Sequence, residues 1–141
     1  MILVDTNLLI YAGTSCPQRD TARPWLDDAL SGPNRVGLPW ESLIGYVRIA
    51  SNPRVYDPPA AVGDAWDQVA EWLTAPASWT PAPSEDHRAI LGRLLGVDPD
   101  HRLVHDAHLA AIAMGHGLTL CSTDGGFAHF EGLRWQNPLA A

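Results

Sequence analysis

Ile2-Leu3-Val4-Asp5-Thr6-Asn7 opens the chain with an apolar run that stops at a carboxylate, and Leu118-Thr119-Leu120-Cys121-Ser122-Thr123-Asp124 repeats the arrangement near the other end. Both runs read as short buried strands. An ionised side chain at the mouth of a buried strand is costly unless a cation or hydrogen bonds meet it. Two such strand ends suggest a site.

Between these ends, strands alternate with helices. Leu8 to Ala12 reads as a short buried helix, and Arg19 to Leu30 as an amphipathic one stopped by Ser31-Gly32-Pro33. Val36-Gly37-Leu38 is a short apolar run before Pro39, and Trp40 to Ile49 has helical spacing up to Ser51-Asn52-Pro53. Ala60 to Leu73 and Glu85 to Leu95 are further helices, with a strand expected near Ser78-Trp79-Thr80. Asp98-Pro99 is a helix-start signal for a segment running to Gly115 or Gly117. Leu118 to Ser122 and Leu133-Arg134-Trp135 supply the last strands. The expected architecture is α/β: three αβα layers around a central, mostly parallel sheet of about five strands.

Composition limits what such a fold can carry. At 141 residues and 46% hydrophobic, the chain is expected to form one domain over residues 1–141. Cys16 and Cys121 lie far apart with no paired spacing, so zinc ribbons and disulfide scaffolds are excluded. Only three apolar residues separate Met1 from Asp5, too few for a signal peptide, and no run reaches membrane-spanning length. The expectation is a soluble, cytoplasmic protein with no membrane partner. Net charge is −7, and all nine basic residues are Arg. Phosphate-gripping proteins are usually basic. Bound divalent cations would account for part of the acidity, as would a basic partner protein or merely an acidic surface.

Ligands of open parallel sheets collect beyond the carboxyl ends of the strands. Asp5 and Asp124 end two strands, and Glu41 follows a third at the start of its helix. Asp106 joins them by geometry: its helix descends ~15 Å to His116, and the next strand climbs back ~20 Å to Asp124. On the helical wheel Asp106 shares a face with Leu103, Ala110 and Ala113, at the edge of the buried stripe. Converging carboxylates repel by ~4 kcal/mol per close pair at a moderate effective dielectric. Hard divalent ions such as Mg²⁺ or Mn²⁺ match an all-oxygen group of this kind. Their chemistry there is water activation and charge stabilisation in an in-line phosphoryl displacement. Taken singly, Asp5 and Asp124 could instead cap turns or helices, Glu41 could complement a helix dipole, and Asp106 could pair with an Arg.

Val4-Asp5-Thr6-Asn7, Glu41, Asp106-Ala107-His108-Leu109-Ala110-Ala111, Ser122-Thr123-Asp124 and Phe127 together resemble a PIN-domain ribonuclease, most closely the VapC toxin type. Arg48-Ile49-Ala50 before Asn52-Pro53, and Leu133-Arg134-Trp135 with Pro138-Leu139, extend the likeness over nearly the whole chain. The resemblance implies a Mg²⁺-dependent endoribonuclease of a toxin–antitoxin module, with Mn²⁺ as an alternative ion. It further implies a structured RNA such as tRNA as target, a VapB-type antitoxin as partner, and a homodimer. Asp5, Asp106 and Asp124 would be the metal-site residues and Glu41 a further catalytic acid. Thr6, Asn7 and Thr123 would be polar supports. Many relatives carry another acid two positions after the last aspartate, where this chain has Gly125-Gly126, and the number of ions stays open.

Arg48 is a candidate contact for RNA phosphate, with an interface carboxylate as the alternative. His101, His105 and His108 recur at helical spacing, and Ile112 continues that face, so a partly solvated or interface stripe is expected in place of a zinc site. His108 is assigned to packing or hydrogen bonding. Core and dimer packing is the expected role of the six Trp residues, with base stacking as the alternative. A haloacid-dehalogenase-type phosphatase needs a second aspartate where Asn7 stands, and a receiver domain needs a lysine, which is absent. The remaining rival is a catalytically weak PIN fold that binds RNA or protein without cleaving.

Overall fold

The computed structural model describes residues 1–97 and 100–140. Five strands, β1 (Ile2–Val4), β2 (Val36–Gly37), β3 (Ser78–Trp79), β4 (Thr119–Cys121) and β5 (Trp135–Gln136), form one sheet in the order β3-β2-β1-β4-β5. Every neighbouring pair is parallel. The chain builds outward from β1 to β3, then returns to the other flank of β1 with β4. The order therefore reverses between β1 and β4, and a crevice opens beyond their carboxyl ends.

Alternation along these short strands divides the core. Val4 and Cys121 face one side, where α1 (Thr6–Gly13), α2 (Arg19–Ser31), α3 (Trp40–Ala50) and α4 (Val62–Leu73) pack around buried Leu8, Leu26, Leu43 and Val69. Leu3 and Leu120 face the other, against α5 (His87–Val97), α6 (Val104–His116), Phe127 and Phe130. Alternate side chains of a strand point to opposite faces, so three residues suffice to anchor both outer layers. The small residues Ala107, Ala110, Ala111 and Ala113 are essentially fully buried and let α6 lie close to the sheet.

The αβα architecture agrees with expectation, and the differences have local causes. Ala60 donates its N–H to the Ala50 carbonyl at 3.0 Å, which ties that segment to the end of α3 and delays α4 to Val62. The turn in which the His87 N–H meets the Ser84 carbonyl delays α5 to His87. The Asp98-Pro99 signal lies outside the described residues. Asp100 instead caps a short 3-10 turn, His101–Leu103, by accepting from the Arg102 N–H at 3.0 Å, and α6 follows from Val104. Gly117, at φ 68°, ends α6 in the left-handed conformation that favours glycine. His101 and His105 are exposed and His108 half-buried, in agreement with a partly solvated stripe, whereas Ile112, expected to continue that face, is fully buried. Trp72 is core, meeting Tyr46 edge-on at 4.8 Å, whereas Trp40 and Trp66 are 43% and 47% exposed and stack on each other.

Leu120 is fully buried in the central sheet beneath α6. Leu120→Ala is expected to cost about 2–5 kcal/mol in urea unfolding, as cavity-forming core substitutions do. A loss well below that range would mean that the layer above β4 closes over the gap.

Candidate active site

Asp5 stands where β1 becomes α1, at the reversal of strand order. Its N–H continues the ladder by donating to the Cys121 carbonyl at 3.0 Å, and its side chain turns toward the first turn of α1. There Oδ1 accepts from the Thr6 N–H at 2.7 Å, as a helix cap does. The other oxygen, Oδ2, accepts from the Ser122 hydroxyl at 2.8 Å. Ser122 is fully buried at the end of β4, and its Oγ also receives the Asn7 side-chain amide and the Asp124 N–H, each at 3.0 Å. One hydroxyl thus joins both strand ends. β5 holds it in place: the Ser122 N–H donates to the Gln136 carbonyl at 3.0 Å, and the Trp135 indole N–H donates to the Ser122 carbonyl at 3.1 Å.

Asp124 follows on the exposed side and caps a 3-10 turn, Gly125–His129, by accepting from the Gly126 N–H at 2.8 Å. Thr123 donates its N–H to Asn7 Oδ1 at 3.4 Å, so Asn7 reaches across to β4 with both ends of its amide. Asp106 is half-buried in the first turn of α6. The capping roles open to Asp5 and Asp124 are therefore real, and they leave the carboxylates within one another's electrostatic field.

Electrostatics links the three aspartates. Burial pushes the Asp5 carboxyl above its ordinary value of 3.8, the bonds from Ser122 and Thr6 oppose this, and the charge of Asp124 adds to the rise. Asp106 is pushed up by burial first, then by Asp124 and Asp5, with His105 acting the other way. Among the described residues no Arg or His comes within ion-pair distance of these carboxylates. Nor, among those residues, do any three His, Cys, Asp or Glu side chains stand preassembled as ion ligands. The donor set nevertheless fits a hydrated Mg²⁺, which keeps several waters and binds through one or two carboxylates together with substrate phosphates.

A cleft of about 420 Å³ opens beside Asp5 and Asp106. Its opposite wall is α3, with Glu41, Ser42, Gly45 and Arg48. The Ser42 hydroxyl donates to the Val4 carbonyl at 2.7 Å and the Thr6 hydroxyl donates to the Ser42 carbonyl at 3.4 Å, which docks α3 on the β1–α1 junction. A Cβ on Gly45 would lie 2.7 Å from Thr6 Oγ1, so glycine permits this approach. Glu41 lines the same cleft and bonds to His108 Nε2 at 2.6 Å. Arg48 also lines it, one helical turn beyond Gly45. Of the residues expected at one site, the structure places Asp5, Thr6, Glu41, Arg48 and Asp106 on this cleft, and Asn7, Thr123 and Asp124 around the adjoining Ser122; the sequence reading put Asp124 with Asp5 and Asp106. It gave no role to Ser122 or Ser42. Their signal was a hydroxyl set within apolar flanks, which burial would oblige to find a partner.

A model of the PIN domain matches residues 2–133. Ribonuclease VapC37 of Mycobacterium tuberculosis is 42% identical over 99% of both chains, and Ribonuclease VapC33 of the same species is 37% identical over the same shares. Among solved structures, VapBC2 from Rickettsia felis, bound to a promoter DNA fragment, superposes with a TM-score of 0.71 at 18% identity, covering 97% of this chain and 98% of that one. FitAcB from Neisseria gonorrhoeae gives 0.63 at 21% identity and 98% of both chains. At these identities the likeness to the solved structures is one of fold. The chain belongs to the PIN-domain family, and within it to the VapC ribonucleases.

Raised carboxyl values carry a sign. A group whose folded pKa exceeds its unfolded one favours folding fully below the unfolded value, and that contribution is lost as pH rises through the folded value. In EDTA the Asp5 and Asp106 contributions to thermal stability should therefore grow on acidification from neutral pH toward the ordinary carboxylate value of 3.8, against the opposite trend of His87 and Asp100, whose values are lowered. Asp106→Asn should raise the melting temperature at neutral pH and flatten that gain in a calorimetric pH series. A variant with an unchanged slope would show that Asp106 is not strained by its charge.

Proposed function

We propose that this chain is the endoribonuclease toxin of a toxin–antitoxin module, hydrolysing phosphodiester bonds of a structured RNA, tRNA foremost, with Mg²⁺ as its ion and Mn²⁺ as a substitute. The observation that carries this reading is the placing of Asp5 and Asp106 along one cleft, each pushed above its ordinary value by burial first and by neighbouring carboxylates after, with no ion pair among the described residues to relieve either. Asp5, Asp106 and Asp124 would hold the ion. Bound there, a divalent cation makes water acidic enough to yield a nucleophile and offsets charge on phosphoryl oxygens.

The protein's own groups do the positioning. Ser122 and the Thr6 N–H fix both oxygens of Asp5, and Asn7 fixes Ser122, so the carboxylate has one orientation before any ligand arrives. Arg48 on α3 faces the cleft from the other wall and offers a guanidinium to a backbone phosphate. Glu41 stands at the same wall as the further catalytic acid. Thr123 keeps its place as a support through its bond to Asn7.

A VapB-type antitoxin is the proposed partner, since the structural neighbours include toxin–antitoxin complexes. Exposed Trp40, Ile44, Val62 and Trp66 add apolar ground on α3 and α4, where Ile44 also lines the cleft, and the charge of −7 favours a basic peptide. The two cysteines are free, in keeping with the cytoplasm, and no described helix is long and apolar enough to cross a membrane. A homodimer completes the proposal. One observation favours the rival binding module: the carboxylates are not preassembled around an ion position among the described residues.

Cleavage of a tRNA pool by the purified chain, with Mg²⁺ and with EDTA, separates the two readings. Cutting that needs Mg²⁺, leaves 5′-phosphate ends and disappears in Asp5→Asn is the expected result. RNA retention without cleavage would identify the binding module, and cutting that survives both EDTA and Asp5→Asn would be a contaminant. Arg48→Ala is expected to raise KM about tenfold with little change in kcat, the pattern of a lost phosphate contact made equally in ground and transition states. A fall in kcat alone would move Arg48 from binding to the chemical step.

A further inference from the structure

His108 has a partner on each ring nitrogen. Its Nε2 lies 2.6 Å from Glu41 Oε2, and its Nδ1 lies 3.0 Å from His87 Nε2. The two imidazoles meet edge to face, at 85° with centroids 4.9 Å apart. Neither contact is needed to close the core: His108 is half-buried at the cleft and His87 opens α5 behind it. The chain of contacts ties α3, α6 and α5 together at Glu41 on the cleft wall.

The direction of the hydrogens follows from what each end can accept. A carboxylate oxygen only accepts, so His108 Nε2 carries a hydrogen. One hydrogen is then shared between His108 Nδ1 and His87 Nε2, and the far nitrogen of His87 decides its owner. His87 Nδ1 is buried with no hydrogen-bond partner among the described residues. A bare ring nitrogen is tolerated there better than an orphaned N–H, which is among the rarest of buried groups. His87 is therefore the Nε2–H tautomer and donates to His108 Nδ1. Burial, and then His108, hold the His87 pKa below its ordinary value, in line with a neutral ring. All hydrogens point one way, from His87 through His108 to Glu41.

We propose that His87 and His108 form a positioning pair that sets the orientation of the Glu41 carboxylate at the cleft wall. His87 fixes the tautomer and tilt of His108, and His108 presents a single N–H to Glu41. This inference rests on the ribonuclease reading, in which Glu41 takes part in cleavage. A plain structural staple between three helices would stabilise the fold equally well but would act whether or not Glu41 is present.

The test is a double-mutant cycle on the full chain, with kcat and KM measured in Mg²⁺ on one transcribed tRNA that the wild type cuts. His108→Leu should lower kcat about 10–100-fold, the usual loss when an orienting partner is removed, with KM nearly unchanged. His108→Gln, whose amide nitrogen takes the place of Nε2, should restore kcat to within about threefold of wild type. In a Glu41→Ala background, His108→Leu should change kcat less than about twofold, because coupled residues do not add. Equal losses in both backgrounds, or a Gln variant as impaired as Leu, would overturn the positioning role. Long-range 1H–15N NMR without RNA or metal supplies an independent readout: both rings should appear as Nε2–H tautomers, and an Nδ1–H form of His108 would break the chain whatever the kinetics. A wild type that cuts no RNA in Mg²⁺ would instead overturn the ribonuclease reading, and this role with it.

Discussion

The structure is organised around the burial of one carboxylate at the point where strand order reverses. Asp5 is set between β1 and α1, where it loses water and must be compensated from within. Thr6 and Ser122 supply a donor to each of its oxygens, and the amide end of α1 adds its dipole. Those donors in turn require Asn7 to reach Ser122 and β5 to hold the Ser122 backbone. The end of β4 is therefore tied to the start of α1 by polar bonds, in a region where the rest of the contact is apolar. What these bonds leave uncompensated is charge, because Asp124 and Asp106 bring two more carboxylates into the same field.

The opposite wall is assembled independently. Ser42 docks the first turn of α3 on Val4, Gly45 lets α3 approach Thr6, and this places Arg48 and Glu41 along the cleft. The two walls divide the charged groups of the cleft in a protein of net charge −7. One wall carries Asp5 and Asp106, and the other the exposed side chain of Arg48 beside Glu41.

Much of this was legible in the residues. The runs ending in Asp5 and Asp124, the glycine stop at Gly117 and the helical spacing of Trp40 to Ile49 each specify a local element, because strand and helix periods bury one set of side chains and expose another. Helix starts were less legible. Ala60 and Glu85 have acceptable propensities, but a bond from Ala60 to the end of α3 and a turn at Ser84 delay the helices that follow. The histidine spacing gave the partly solvated face at His101, His105 and His108 but not its end, since Ile112, read as continuing that face, lies in the core.

Local pattern determines which carboxylate reaches the end of its own strand or helix, and so the identity of the acids and the α/β class can be read from the chain. It does not determine which ends adjoin. Asp5 and Ser122 are 117 positions apart, and Glu41 and His108 are 67 apart, so their bonds exist only because β4 inserts beside β1 and α6 packs across from α3. Hydrogen bonds of this kind depend on angle and on a few tenths of an ångström, which no periodicity encodes. Assembly of the whole sheet supplies them.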